Sequence, residues 1–209
     1  MKTKIITMCL LGLSIINSGC KKDAVVAAVN EGAGLGPALT KYITSCTTTS
    51  GPTYGANSYK IDLSTTGSST YSLAYFYYSG SGCTGQVYAM TIGGTYVRGT
   101  AVNSPSGSYL ITFTPTSSSV TAYDSTTAGL LNTGCGSHWS TGGGTTTYIS
   151  TTPGLICGAL GIAAANTPIY NNYIVNGSTL SMGSFTNNNP GATSMGSIPT
   201  TSSVNLSHY

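Results

Sequence analysis

From Lys41 onward apolar side chains recur with a period of two, the signature of strands with one buried face. Tyr42 to Thr49 reads as a first strand, and Tyr59, Ile61 and Leu63 alternate with Lys60 and Asp62 in a second. The strongest alternation is Thr70 to Tyr78, where Tyr71, Leu73, Tyr75 and Tyr77 interleave with Ser72, Ala74, Phe76 and Tyr78. Ser79 to Gly82 makes a turn. Val87 to Ile92 and Thr95 to Val102 flank Gly93-Gly94, which predicts a tight hairpin or a bulge. After a turn at Pro105 to Gly107, Tyr109, Ile111 and Phe113 mark a strand that Pro115 should end, and Val120, Ala122 and Asp124 mark the next. Ser125 to Asn132 predicts one or two helical turns, Gly134 to Gly144 a loop, and Thr145 to Ser150 a short strand. Residues 153–166 are rich in Gly and Ala and yield no assignment. Ile169 to Val175 and Thr179 to Met182 flank Asn176-Gly177, a hairpin signal for a type I′ turn, and Val204, Leu206 and His208 alternate in a last strand. Residues 41–209 therefore predict one all-β domain, an antiparallel barrel or two-sheet sandwich of about 8–10 strands. No helices recur between the strands, which argues against a parallel α/β sheet.

Before Lys41 the alternation is absent. Lys2 and Lys4 precede an uncharged, mostly apolar run from Ile5 to Ile16, and Asn17, Ser18 and Gly19 lead into Cys20. This predicts a secretory signal over residues 1–19, too short as a helix to cross a hydrocarbon core of about 30 Å. Small residues before a cysteine resemble a bacterial lipobox, with Asn17 where the pattern prefers Leu; the resemblance implies that Cys20 becomes the acylated first residue. An ordinary signal cut after Ala27 or Ala28 is the alternative, and Lys21, Lys22 and Asp23 count against it. Residues 20–40 then form a lipidated tether. A short helix is expected at Ala24 to Val29, and Gly32, Gly34, Gly36 and Pro37 make a stalk, although Val25, Val26 and Val29 could instead dock on the domain. Lys21 after the cysteine, rather than Asp, implies the outer membrane of a bacterial envelope, with either side as the exposed one.

Charge changes the list of partners. Only 5% of the 209 residues are charged, and five cations against four anions after Cys20 leave +1, too little to neutralise a row of phosphates. Nucleic acid is therefore excluded as a partner. A chain this poor in charge invites the thought of disorder, but disordered chains are aromatic-poor and this one has 15 Tyr. Removing Cys9 with the signal and acylating Cys20 leaves Cys46, Cys83, Cys135 and Cys157, an even set suited to two disulfides in an exported protein. Of the three pairings, the sequential one, Cys46 with Cys83 and Cys135 with Cys157, closes local loops, each contributing about 3–4 kcal/mol.

Candidates for chemistry are few. Past the tether the carboxylates are Asp62 and Asp124, read as a solvated strand residue and a turn or helix cap. A triad could combine Asp124 with His138 or His208, but no Gly-x-Ser-x-Gly elbow exists. Two histidines without a free thiol make a poor metal site, and Gly142-Gly143-Gly144 lacks the Lys of a phosphate cradle. The reading is a non-enzyme without cofactor or metal. Tyrosine is over-used: Tyr71, Tyr75, Tyr77, Tyr78, Tyr88 and Tyr96 fall on consecutive strands. They fit either a cross-strand core ladder or a concave aromatic surface for sugars or small amphiphiles, and Tyr71, Tyr75, Tyr77, Tyr96 and Trp139 are the candidate ligand contacts. Trp139 equally suits a plug packed on the Cys135 disulfide.

With these features placed, residues 41–209 resemble bacterial surface lipoproteins with lipocalin-like barrels. The resemblance rests on Cys20, a turn cysteine at Cys83, Gly94-Thr95-Tyr96 opening a strand, Cys135-Gly136 with Trp139, and Cys157 closing that loop. Tyr173 to Gly183 with Asn176-Gly177 and Leu180, and Pro199-Thr200 before Tyr209, complete it. True lipocalins place a Gly-x-Trp in the first strand, whereas Trp139 is in the second half, so a closed calyx and an open or flattened barrel both fit. The expectation is a lipid-anchored envelope protein that binds a small amphiphile or glycan without catalysis. The alternative is a structural or adhesive surface protein with no internal pocket.

Overall fold

The computed structural model describes residues 41–208 apart from 68, 103–105, 151–159, 161–163, 186–189, 193–194 and 199. The chain divides into two units, Met1–Gly34 and Leu35–Tyr209, and the described residues belong to the second. Cys20, Cys157, the expected short helix and stalk, and most of 153–166 lie outside the described residues.

The elements are β1 (Lys41–Ile43), β2 (Thr47–Thr53), β3 (Ala56–Thr66), β4 (Thr70–Tyr78), β5 (Gln86–Val102), β6 (Ser108–Ala122), the helix α1 (Ser125–Cys135), β7 (Thr146–Ser150), β8 (Ile169–Asn176), β9 (Thr179–Gly183) and β10 (Ser202–His208). Of the two architectures that the alternation allows, the chain adopts a closed antiparallel barrel of eight strands. β1, β3, β4, β5, β6, β8, β9 and β10 follow one another round it, and β10 pairs back onto β1 with Tyr42 opposite His208. Closure satisfies the backbone groups that a sandwich would leave at its edges.

β2 and β7 extend this wall at one end. β2 runs on from β1 along the same edge of β3, Tyr42 facing Leu63 and Thr47 facing Tyr59. β7 pairs with Ser118–Ala122 of β6, beyond the stretch Tyr109–Phe113 that pairs with β8. The first predicted strand is thus two, broken at residues 44–46. There Thr44 takes over the ladder: its amide donates to the Ile61 carbonyl and its hydroxyl accepts from the Ile61 amide, both at 2.9 Å. Cys46 leaves the sheet to bond Cys83 in the loop after β4, with an S–S distance of 2.07 Å. This is the sequential pairing. Cys135 is disulfide-bonded as well.

Two expectations in the middle of the chain need correction. Gly93-Gly94 makes neither a hairpin nor a bulge of its own strand: β5 runs through it in unbroken register with β4, and the bulge lies opposite, at Thr116 of β6, while Pro115 does not end its strand, because β6 runs through it. Pro115 stands opposite Gly94 at the register shift, where the missing N–H does not interrupt a ladder. Gly94 itself cannot carry a side chain: a Cβ there would lie 2.1 Å from the Thr114 carbonyl oxygen and 2.9 Å from the Tyr71 ring. The late hairpin forms, but Asn176 pairs with Thr179, so the turn residues are Gly177 and Ser178. Gly177, at φ 58°, occupies the first central position. Asp124 is not in a strand; it caps α1.

Candidate functional site

Parity along β4 sends Tyr71, Leu73, Tyr75 and Tyr77 into the barrel, and the facing residues of β3 and β5 join them. Toward the α1 end, Tyr59, Tyr77 and Tyr88 stand directly opposite one another on three adjacent strands. Tyr77 stacks on Tyr88 with centroids 4.3 Å apart, and Tyr59 and Tyr75 lie 6.0 and 6.3 Å from Tyr77. Toward the other end, Tyr71 meets Phe113 edge-on at 4.8 Å and Tyr96 lies 6.5 Å from the same ring. The Tyr96 hydroxyl donates to the Gly67 carbonyl in the β3–β4 turn at 3.5 Å. Tyr71, Tyr75, Tyr77 and Tyr96 are therefore brought together as two aromatic layers, and none is more than 6% exposed.

The Tyr71 and Tyr75 hydroxyls are buried and find no hydrogen-bond partner among the described residues. Burial raises the pKa of Tyr71, Tyr75, Tyr77 and Tyr88 well above the ordinary phenol value of 10.0, and that of Tyr173 to about 12. Neighbouring phenolates would repel one another here, which adds to the rise at Tyr75 and Tyr88. At neutral pH these groups neither give nor take a proton; they fill space.

The end cap is built by α1 and the loop after it. Asp124 accepts from the Thr127 amide at 2.7 Å and its hydroxyl at 2.9 Å, starting the helix. Ala128 and Leu131 turn inward. Asn132 clamps the following loop: its Oδ1 accepts from the His138 and Trp139 amides, both at 2.9 Å, and its Nδ2 donates to the Trp139 carbonyl at 2.7 Å. Trp139 is buried in the cap, its indole N–H donating to the Val120 carbonyl at 3.0 Å. His138 lies exposed and flat on Tyr148, 4.0 Å between centroids.

Sequence reasoning passed over Tyr54. It sits with Gly55 in the two-residue β2–β3 turn, at φ 50°, a conformation in which tyrosine is unusual. Its ring stands edge-on to Tyr88 at 6.1 Å and its hydroxyl donates to Cys135 Sγ at 3.5 Å, so contacts with the cap offset the backbone cost. A Tyr-Gly pair between two β runs was the available signal. Asp62, read as solvated, is 4% exposed; Lys41 Nζ reaches its Oδ2 at 2.7 Å and Ser64 Oγ donates to its Oδ1.

The triad candidates are dispersed. Both Asp124 oxygens engage Thr127, His138 belongs to the cap, and His208 lies beside Tyr42 on β10. Among the described residues no group of three or more His, Cys, Asp or Glu comes together, and no helix is long and apolar enough to cross a membrane. On the outer wall, Ser72, Thr91, Gly93, Ser117, Ser119 and Ile149 line an uncharged groove of about 280 Å³. No protein-family model and no curated protein matches the chain.

Proposed function

We propose that this protein is a non-enzymatic, lipid-anchored envelope protein of structural or adhesive type, which meets a glycan or surface-protein partner with its outer wall and loops. The observation that carries this reading is the packing of Tyr71, Tyr75, Tyr77 and Tyr96 against each other and Phe113 inside the barrel. Eight-stranded barrels either fill with side chains or hold one small ligand. Hydroxyls as enclosed as those of Tyr71 and Tyr75 leave no room beside them for a guest. The wall offers what a neutral partner needs, Ser and Thr hydroxyls with almost no charge. Anchoring through Cys20 is supported by the run from Lys2 to Cys20, and the outer membrane by Lys21 in place of Asp after that cysteine.

Two measurements on protein from its native membrane test this. Intact mass should start at Cys20 with acyl chains and gain about four hydrogens on reduction; a mass without lipid removes the anchor. Calorimetric titration with a long-chain fatty acid and with an alkyl maltoside should show no saturable one-to-one binding. Stoichiometric binding that Tyr75→Ala abolishes would return the lumen to the role of amphiphile site.

A further inference from the structure

Arg98 is the only arginine of the chain, and it lies on β5 opposite Ile111, which in turn lies opposite Asn171. Residues directly opposite one another share a face of the sheet. Ile111 and Asn171 are buried in the interior, so Arg98 stands on the inner face, toward the end of the barrel away from α1. One inward step further out, Tyr109 and Tyr173 face each other with ring centroids 6.0 Å apart. Burial raises the Tyr173 phenol, and the Arg98 guanidinium is near enough to oppose that rise. The pairing of β5 with β6 slips between Arg98 and Ala101, where a Cβ on Gly99 would stand 2.8 Å from that of Leu110. Bulges of this kind re-aim a side chain and recur beside binding sites.

Nothing in the domain answers this charge. Between residues 35 and 208 the sequence holds two carboxylates, of which Asp62 is held by Lys41 and Asp124 caps α1. Among the described residues the Arg98 side chain has no ion pair and no hydrogen bond. Lys60 is on the outer face, opposite Phe76. A half-buried guanidinium without a counter-charge is costly, and a chain so poor in charge keeps one here only against an anion.

We propose that Arg98 is an anion site at the rim of the barrel, taking the carboxylate of an acidic sugar; the inference rests on the reading of the partner as a glycan. The guanidinium fork meets a carboxylate through two parallel hydrogen bonds, and one cation neutralises one carboxylate, whereas a phosphate dianion would stay half-charged. Tyr109 is half-buried beside it, and its hydroxyl has no hydrogen bond among the described residues, so it offers the sugar a donor and a flat ring. A fatty acid carries the same carboxylate, but the packed layer of Tyr71, Tyr96 and Phe113 behind Arg98 leaves its chain no place.

Calorimetric titration of the full chain in detergent tests it, with an oligosaccharide of glucuronic acid and with the same oligosaccharide after its carboxylates are reduced to alcohols. The acid form should bind at least about tenfold tighter. Arg98→Gln should bring the two forms to equal affinity, and Arg98→Lys, which keeps the charge and loses the fork, should fall between. Near-ultraviolet circular dichroism should show both variants packed like the parent. Equal affinity of the two forms, or a preference that Arg98→Gln leaves in place, overturns the inference and leaves a glycan partner standing. Binding of neither form overturns it together with the glycan reading.

Discussion

The role of each tyrosine is decided by whether its hydroxyl is answered. Tyr75 is 3% exposed and its hydroxyl has no partner among the described residues, so Tyr75→Phe removes a polar atom that the fold carries at a cost. Its unfolding free energy in urea should be unchanged or rise by up to about 1 kcal/mol, while Tyr75→Ala should cost about 3–5 kcal/mol. A clear loss on Tyr75→Phe would mean the hydroxyl is satisfied after all. Glycines divide in the same way. Gly94→Ala drives a methyl into the Thr114 carbonyl and should cost about 3 kcal/mol. Gly129, inside α1 with open space around its Cβ position, should gain about 1 kcal/mol as Ala. Period-two alternation put Tyr71, Tyr75 and Tyr77 on one face from sequence alone, since parity is a local property. Whether that face is an open concave surface or a packed interior depends on strands far away in the chain. Tyr54 escaped notice because left-handed turn positions ordinarily call for Gly or Asn, and its compensation comes from Tyr88 and Cys135.

At the level of elements, the disulfide stands in for a missing piece of ladder. β1 and β2 are separated where Cys46 turns out of the sheet, and its bond to Cys83 fixes that break to the β4–β5 loop. The bond spans 37 residues of chain, worth about 4 kcal/mol on the chain-entropy model. Replacing Cys46 and Cys83 together by Ala should lower the urea unfolding free energy by about that amount and leave the far-ultraviolet circular dichroism of the barrel in place. An equally stable variant would show the bond to be ornamental. Most strands were legible because each needs only its own alternation. The errors fall where a rule of local punctuation met long-range pairing. Pro115 reads as a stop, yet a bulge opposite Gly94 absorbs it. Asn176-Gly177 reads as the turn, yet the pairing of Asn176 with Thr179 moves the turn one residue on.

Closure belongs to the whole molecule and left no mark in the sequence, since it depends on β10 finding β1 from opposite ends of the domain. It produces an interior in which the phenols of Tyr71, Tyr75, Tyr77 and Tyr88 sit away from water, and their stability contribution has a definite pH dependence. Their folded pKa values are raised above 10.0, so below that pH they are protonated in both states and the folded state keeps its full stability. Above it the unfolded chain loses protons that the barrel retains, and stability falls by about 1.4 kcal/mol per pH unit for each such group. Whether the barrel is dry and filled can be read from an alkaline titration followed together by tyrosine ultraviolet absorption and far-ultraviolet circular dichroism. The exposed tyrosines should ionise first, and the enclosed set in one step with the loss of strand signal. If all the tyrosines ionise near pH 10 while the strand signal stays intact, the lumen is open to water and the filled-barrel account is wrong.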